Sequence, residues 1–313
     1  MVITVTLNPA IDKALDVPGF RVGAHARATV RSALPAGKGV NVARGLARLG
    51  GRAAASGFMG RDEERMFDES LEAEGVQTRF CPVAGRTRTN TTILDPEFRT
   101  STHLREKGFI VYAADVARLR DMLTGWIMEE ADATVVFAGS LSQGMGPDDF
   151  AGLLRACGGK GTRVFVDANG PALRAALEAG AVDTLKPNLD ELGECLGHPV
   201  TREGALVAAR GLLDQVGTVL LTLGAEGALL VRPGLTVGAC CPVDQSEVRN
   251  TVGCGDAFLA GWLRGEEVTA APADALCWAV AAGAASAMSN MTVGYSLSDV
   301  ESLLPRCVPL SES

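Results

Sequence analysis

The chain has 313 residues, of which 47% are hydrophobic and 21% are charged, and its formal net charge is −8. This composition is typical of a globular protein, and the length suits one large α/β domain with a small appendage, or two domains. The acidic balance argues against a general nucleic-acid-binding protein, although it permits local basic pockets.

The cysteines and histidines show no pattern typical of a metal site or a disulfide framework. Eight cysteines occur without a Cys-x-x-Cys pair, and three histidines stand far apart at positions 25, 103 and 198. The first residues are typical of a strand rather than an export signal, and the apolar run at 279–288 is too short to span a bilayer. We therefore expect a cytoplasmic protein whose thiols are reduced and mostly buried.

The beginning of the chain predicts a strand followed by a candidate ligand residue. Residues 2–7 form a short apolar run, and Asp12 follows soon after it. An acid just past a strand end is well placed for a ligand in an open α/β sheet, whereas the simpler interpretation is a turn aspartate. Residues 14–35 alternate weakly and carry glycine, proline and basic residues, so they suit edge strands.

A second candidate site lies at Gly37, Lys38 and Gly39, which open a predicted helix that ends near Gly50. Gly-Lys-Gly places a cation and free amides at a helix N-terminus, where small side chains let a polar ligand approach the backbone. The alternative interpretation is a solvated helix start.

The next part of the chain leads up to a segment that resembles a lid. The sequence predicts a strand at 52–57, an amphipathic helix at 62–74 and a threonine-rich strand at 87–94. Arg86 and Arg88 lie near the start of the last strand; two arginines beside a cleft suggest a binding role, although a lone arginine there is usually solvated. Residues 97–107 are polar and irregular, which is typical of a mobile lid segment.

From about residue 109 strands and helices alternate regularly. Predicted helices cover 114–129, 148–157, 171–179 and 202–214. Predicted strands cover 133–138, 164–166, 184–185 and 219–223. Each strand is short and nearly all apolar, so the pattern predicts a mostly parallel sheet covered by helices on both faces, that is, a doubly wound α/β fold.

Polar residues or glycine come just after several predicted strands. They are Asp12, Ser140, Asp167, Asn188 and Gly224. Ligands of open parallel sheets bind at the carboxyl edge of the strands, so these residues predict one shared crevice.

Three further segments are informative: a helix start with two interpretations, a turn, and a helix suited to close packing. Residues 186–191 begin a helix in which Glu191 is either a capping acid or, with Asp167 and through water, a group acting on Mg²⁺. Residues 222–227 predict a turn between two apolar strands. The helix predicted at 276–288 is rich in alanine and glycine, which allows close packing.

The glycine-rich stretch at 250–261 carries the strongest indication of chemistry. Gly253 and Gly255 permit backbone angles that turn successive N–H groups toward one point at a helix N-terminus, where an anion is favoured. Beside that site, Asp256 would take the proton of a hydroxyl while the amides receive a transferring phosphoryl group. The alternative is a plain turn before a core helix; neither a dinucleotide fingerprint nor a P-loop occurs in the sequence.

Seven segments together resemble, in order and spacing, the ribokinase-like phosphofructokinase B kinases, and within them the 1-phosphofructokinase/tagatose-6-phosphate kinase branch. They are TLNPAID (6–12), AGKGVNVA (36–43), GRTRTN (85–90), GSL (139–141), KPNLDE (186–191), LGAEGA (223–228) and TVGCGD (251–256). They cover nearly the whole chain.

The resemblance implies a fold and an assembly. The fold would be a doubly wound, mostly parallel α/β sheet with a small β-sheet lid. The kinase domain would comprise 1–11, 36–86 and 109–313, and the lid 12–35 and 87–108. In many relatives the lids clasp a homodimer.

The resemblance also implies roles for individual residues. Asp256 would be the catalytic base, and the amides of Gly253, Cys254 and Gly255 would form the anion hole. The sugar phosphate would contact Asp12, Gly37, Lys38, Gly39, Asn41, Arg88, Asn90, Ser140 and Arg105. The nucleotide would be bordered by Lys186, Asn188, Thr222, Gly224, Gly227, Thr251 and Asn290. Glu191, with Asp167 behind it, would orient Mg²⁺.

The sequence departs from the family pattern at three places. Cys254 stands where the family usually has alanine, Ser142 and Gln143 replace a proline-bearing turn, and Arg105 stands about where this branch often has asparagine. Backbone donation by Cys254 survives, so these changes bear on the identity of the sugar rather than on the chemistry.

The implied function is an ATP- and Mg²⁺-dependent kinase of a ketohexose phosphate. Fructose 1-phosphate is the expected substrate, and tagatose 6-phosphate or fructose 6-phosphate is the near alternative. An unphosphorylated sugar fits less well, because Lys38, Arg88 and Arg105 suit a substrate that already carries charge. A non-catalytic sugar- or nucleotide-binding regulator is the alternative from another class, and the presence of Asp256 argues against it.

Overall fold

The computed structural model describes residues 1–159 and 161–310. Its main sheet contains β1 Val2–Thr6, β4 Ala53–Gly60, β5 Gln77–Val83, β8 Thr134–Ala138, β9 Arg163–Asp167, β10 Thr184–Leu185, β11 Thr218–Thr222, β12 Ala228–Arg232, β13 Leu235–Cys240 and β14 Val308–Pro309. The strand order is β14-β13-β12-β11-β10-β9-β8-β1-β4-β5. All pairs from β5 to β11 are parallel, and the remaining pairs are antiparallel.

Helices cover both faces of this sheet. They are α1 Lys38–Arg48, α2 Glu64–Glu72, α3 Ala113–Glu129, α4 Pro147–Cys157, α5 Gly170–Ala179, α6 Leu189–Leu196, α7 Ala205–Arg210, α8 Cys254–Val268, α9 Pro272–Met288 and α10 Leu297–Leu303. Alternate residues of β8 enter two separate cores: Val135 and Phe137 belong to one, Val136 and Ala138 to the other. This two-sided burial confirms the doubly wound α/β prediction.

The helices of the described residues include none that is long and apolar enough to cross a bilayer.

A second, four-stranded sheet is formed by β2 Ala10–Asp16, β3 Thr29–Ala36, β6 Arg88–Asp95 and β7 Thr100–Arg105, in the order β3-β2-β6-β7. It confirms the expected small β-sheet. The division of the chain at residues 12–35 and 87–108 into a separate lid domain stays a prediction.

The structure differs from the sequence predictions in three local places. The segment 97–107 is largely strand β7, because the free edge of β6 pairs with it through residues 100–105. Polar edge strands resemble loops in a sequence, since packing does not impose alternation on them. Asp12 lies inside β2 rather than in a turn, and only Ala205–Arg210 of the predicted helix 202–214 is regular helix.

Candidate active site

The carboxyl ends of the central parallel strands form the floor of the site. Strands β4 and β5 follow β1 on one side of the sheet, and strands β8 to β11 follow it on the other side. The direction in which successive strands are added therefore reverses between β1 and β8. Such a reversal opens a crevice at the carboxyl edge. Ser140 and Asp167 come from this edge, at the ends of β8 and β9.

The N-terminus of α8 presents backbone donors. Gly253 adopts the left-handed conformation, with φ 86°, and a Cβ there would lie 2.6 Å from Thr292 Cγ2, so the turn requires glycine. The first intrahelical bond runs from Ala257 N–H to Gly253 O. The N–H groups of Cys254 and Gly255 precede it and point out of the helix end, where a negative charge is favoured.

The thiol of Cys254 supports the same turn. Its Sγ lies 3.7 Å from Asn250 O, and burial raises the pKa of the thiol. Cys254 therefore acts here as a neutral donor that links the loop to the helix.

Asp256 is a buried carboxylate in the first turn of α8, with 6% of its surface exposed. Asn41 of α1 donates from Nδ2 to Asp256 Oδ2 at 2.8 Å. Burial, with the Asp167 charge adding to it, raises the pKa of Asp256 to about 7. The Asn41 hydrogen bond and two nearby ammonium groups oppose that shift. A carboxylate with a pKa near neutrality accepts a proton well at physiological pH.

Asp167 lies between two lysines. Lys38 Nζ is 2.9 Å from its Oδ1, and Lys186 Nζ is 3.2 Å from its Oδ2. Burial alone would raise the pKa of Asp167, but the two ammonium groups outweigh it and hold that pKa below its ordinary value. The carboxylate thus fixes two cations, and one of them, Lys186, lies beside the N-terminus of α8, where a Cβ on Gly255 would be 3.5 Å from its Nζ.

Lys38 opens α1 and keeps its charge in spite of burial. Burial disfavours the ammonium, yet the carboxylates of Asp167 and Glu191 outweigh it and raise the pKa of Lys38 above its ordinary value. Gly37 and Gly39 flank Lys38, and a Cβ on either would lie within 2.7 Å of the Thr6 side chain, so the close approach of α1 to β1 requires glycine at both positions. Lys38 is therefore a permanent cation at the helix start.

Glu191 caps α6 and also faces the lysines. Its Oε2 accepts from Asn188 N–H at 2.9 Å, in a reciprocal capping box, and its Oε1 lies 3.6 Å from Lys38 Nζ. Within the described residues no set of three acidic, histidine or cysteine side chains is arranged to hold a metal alone. A hard cation with waters and phosphate oxygens fits Glu191, whereas both oxygens of Asp167 already face lysines.

The second sheet brings a polar group to the other side of the crevice. Asn90 Nδ2 donates to Asp12 Oδ1 at 2.9 Å, across the paired strands β6 and β2. Arg105 of β7 lies opposite Asn90 and is exposed. Arg88 donates from Nη2 to Asn8 O at 3.0 Å and from Nε to Pro9 O at 3.3 Å.

Burial lowers the pKa of Arg88, the Asp12 charge opposes that shift, and the charge of Arg105 adds a smaller lowering. A half-buried guanidinium close to a second arginine favours an anion between them.

Asn8 was missed by the sequence analysis as a separate site residue. Its carbonyl holds Arg88, and its side-chain Nδ2 donates to Ser140 Oγ at 3.4 Å and Leu141 O at 3.3 Å. It therefore connects the second sheet to the loop after β8. The signal available in the sequence was its place just past β1, the same criterion that selected Asp12.

The remaining predicted residues lie around the β10–β12 end of the crevice. Thr222 Oγ1 donates to Pro187 O at 3.3 Å, and its N–H donates to the same carbonyl at 3.0 Å, which joins β11 to the start of α6. Gly224 and Gly227 have φ of 62° and 104° in the tight 3₁₀ turn between β11 and β12.

Thr251 and Asn290 are exposed near the start of α8 and the end of α9. No side-chain hydrogen bond in the described part of the chain ties Asn290 to the other site residues.

Comparison with known proteins identifies the family that the chain resembles. The family described as pfkB family carbohydrate kinase matches residues 5–295. A 1-phosphofructokinase of Rhodobacter capsulatus is 38% identical over 84% of this chain and 82% of its own length. A tagatose-6-phosphate kinase of Staphylococcus epidermidis is 29% identical over 85% of each chain. A solved structure of phosphofructokinase-2 from Escherichia coli superposes with a TM-score of 0.90 at 27% identity, covering 97% of this chain and 98% of the other.

Proposed function

The chain belongs to the pfkB family of carbohydrate kinases and is a phosphotransferase acting on an alcohol group, and from this premise we propose that it transfers the γ-phosphoryl group of ATP to fructose 1-phosphate. The product is fructose 1,6-bisphosphate. The observation that carries the proposal is the buried Asp256 carboxylate, with a pKa of about 7, in the first helical turn beside free N–H groups. The sugar class is supported by the names of the matched relatives.

In the proposed reaction Asp256 takes the proton of the accepting hydroxyl. The hydroxyl oxygen forms a bond to the γ-phosphorus while the bond to the bridging oxygen of ADP breaks. The N–H groups of Gly253, Cys254 and Gly255 meet the negative charge that spreads over the transferring oxygens.

Lys38 and Lys186 supply positive charge between the two substrates. Their shared contact with Asp167, at 2.9 and 3.2 Å, holds both ammonium groups in place before substrates arrive. Preorganised charge of this kind stabilises a transition state without reorganisation during the reaction. Asp167 is thus a positioning residue, which acts through the two lysines.

Mg²⁺ would be held through water by Glu191 and by nucleotide phosphates, while Asp167 behind Glu191 would act only through the lysines that its oxygens face. When bound, the ion would neutralise phosphate charge. Glu191 keeps its orientation through the Asn188 capping box, so its Oε2 is fixed, and its Oε1 lies 3.6 Å from Lys38 Nζ.

The existing phosphate of the sugar would be recognised from the second sheet. Arg88 and Arg105 offer guanidinium donors there, with Asp12, Asn90 and Ser140 available for sugar hydroxyls and Gly37, Gly39 and Asn41 at the helix start. ATP would lie across the crevice, along Asn188, Thr222, Gly224, Gly227, Thr251 and Asn290.

We further infer that residues 12–35 and 87–108 act as a lid. We also infer that two copies of the chain form a homodimer through their lids in the cytoplasm. Support comes from the exposed outer strand β7 and from Val30 and Leu104, which are 58% and 53% exposed on the second sheet.

A substrate panel tests the proposal. Purified protein is given ATP and Mg²⁺ with fructose 1-phosphate, tagatose 6-phosphate, fructose 6-phosphate or fructose, and ADP release is followed. The highest kcat/KM is expected for fructose 1-phosphate. A preference for plain fructose would overturn the substrate class, and binding of sugar and ATP without ADP release would identify a regulator instead.

A further inference from the structure

Three cysteines form a cluster that the proposed reaction does not use. Cys241 follows β13, Cys277 lies in α9, and Cys307 lies just before β14. The sulfurs of Cys241 and Cys307 both lie 3.8 Å from the same oxygen, Leu303 O. Cys307 Sγ is also 3.5 Å from Cys277 O, so Cys307 lies beside both of the other cysteines.

The strand register places Cys241 opposite Cys307. In the antiparallel pair β13–β14, Cys240 faces Val308, so one further step brings positions 241 and 307 together. Leu310 N–H donates to Gly238 O at 2.9 Å, and hydrogen-bonded pairs alternate with non-hydrogen-bonded pairs along such a ladder. The 241–307 pair lies one step beyond the paired strands, and a ladder continued by that step would make it a non-hydrogen-bonded pair, for which Cα atoms lie about 4.5 Å apart, a separation that a disulfide can bridge.

We propose that Cys241 and Cys307 are a thiol modification site that forms a reversible intramolecular disulfide with hydrogen peroxide. In the first step the Cys241 thiolate attacks one peroxide oxygen, the O–O bond breaks and hydroxide leaves, giving a sulfenic acid. In the second step the Cys307 sulfur gives up its proton and attacks the Cys241 sulfur, and the S–O bond breaks. Two thiols and one peroxide thus become one disulfide and two waters.

The surroundings shift the pKa values of the two thiols in opposite directions, so that Cys241 is the better nucleophile and Cys307 keeps its proton. The hydrogen bond with Cys307 lowers the pKa of Cys241, and the positive charge of Arg306 adds to it against the effect of burial. The same shared proton raises the pKa of Cys307. Cys241 is 8% exposed, which suits a small oxidant better than a bulky one.

Two other cysteines provide internal comparisons. Burial raises the pKa of Cys157 to about 12, and it also raises the pKa of Cys195 in α6. Neither is in contact with a second thiol among the described residues. Both are therefore expected to react more slowly with peroxide than Cys241.

Peroxide titration with peptide mapping tests the site. The reduced protein is treated with an equimolar amount of hydrogen peroxide, remaining thiols are alkylated, and peptides are identified by mass spectrometry. We expect a 241–307 disulfide peptide that lacks two hydrogens and disappears after treatment with dithiothreitol, with Cys157 and Cys195 still alkylated. A disulfide joining 277 to 307, or oxidation of Cys195 as fast as Cys241, would overturn the assignment.

Variants separate the two steps. Cys307→Ser should stop at the sulfenic acid, which dimedone traps on Cys241, while Cys241→Ser should form neither product. Cys195→Ser is the matched control and should give the wild-type disulfide. Dimedone labelling of Cys307 in the Cys241→Ser protein would show that the attacking thiol is wrongly assigned and would refute the proposed order.

Discussion

The two sides of the crevice differ in how firmly they hold their polar groups. On the α8 side, Asp167, Lys186 and Asp256 are 0%, 4% and 6% exposed, and each has a charged or amide partner within 3.2 Å. On the second-sheet side every residue of β7 is exposed. Buried charges keep fixed positions and shifted pKa values, whereas exposed ones are screened and adapt to a ligand.

This difference suggests a division of labour. The rigid α8 side is suited to the chemical step, which requires preorganised charge. The open side is suited to choosing a substrate and closing over it. Substitutions on the two sides should therefore change different kinetic constants.

The largest effect is expected for Asp256→Asn. This change removes the base but keeps a side-chain oxygen that can accept the hydrogen bond from Asn41. Loss of general-base help should lower kcat by about 10²–10⁴-fold, with sugar and ATP binding nearly unchanged. Steady-state kinetics and calorimetric binding measure the two properties. Asp274→Asn, an exposed first-turn acid of α9, is the control. Turnover within about threefold of the parent would remove Asp256 from the mechanism.

Arg88→Ala should act on the other side of the crevice, through substrate affinity. Loss of a charge-assisted phosphate contact should lower kcat/KM for fructose 1-phosphate by about 10–150-fold and leave the KM for ATP unchanged. Arg86→Ala is the matched control, because Arg86 is exposed and pairs with Glu63 at 3.1 Å. Equal losses on fructose and on the sugar phosphates would contradict phosphate recognition by Arg88.

Glu191→Gln should raise the Mg²⁺ concentration needed for half-maximal rate, on the order of 10-fold, because one hard oxygen anion is lost. Glutamine still completes a capping box, so α6 should remain intact. Rates are measured across a Mg²⁺ titration, with Asp190→Asn in the same helical turn as the control. An unchanged Mg²⁺ dependence would assign Glu191 to capping alone.

The pH profile sharpens the comparison further. Because Asp256 works unprotonated and its pKa is about 7, kcat/KM should rise as pH passes through about 7 and then level off. Asn41 donates to the charged form, so Asn41→Ala should raise that pKa and move the acid limb to higher pH, on the order of one pH unit. Asn90→Ala, whose amide contacts Asp12, should leave the limb in place. A limb that stays fixed in Asn41→Ala would indicate that another group titrates.

The smallest effect concerns motion of the second sheet. Amide hydrogen exchange in residues 97–107 should slow when fructose 1-phosphate and a non-hydrolysable ATP analogue bind together, because closure excludes water from the transfer site. Strand β13, on the main sheet, is the internal reference. Identical exchange in the free and bound protein would leave 12–35 and 87–108 without a lid function.

The sequence was sufficient for the fold class and for selecting the candidate site. Short apolar strands alternating with helices predict a doubly wound sheet, because both faces of a parallel sheet must be buried. The glycines at 253 and 255 and the acid at 256 indicated an anion site, because the turn and the helix dipole are local properties. Of the two glycines only Gly253 adopts a positive φ, since Gly255 already lies inside α8. The strand β7 escaped prediction, because its pairing partner, and not its own polar residues, makes it a strand.

Only the tertiary structure decided what the site residues touch. Lys38 meets Asp167 across 129 positions of sequence, and Asn41 meets Asp256 across 215. Neither the pairing of Asp167 with two lysines nor the raised pKa of Asp256 follows from local sequence, since both arise when distant charges are buried together away from water. The sequence determines which residue types are available, whereas the packing of α1 and α8 against the sheet determines their charges and partners.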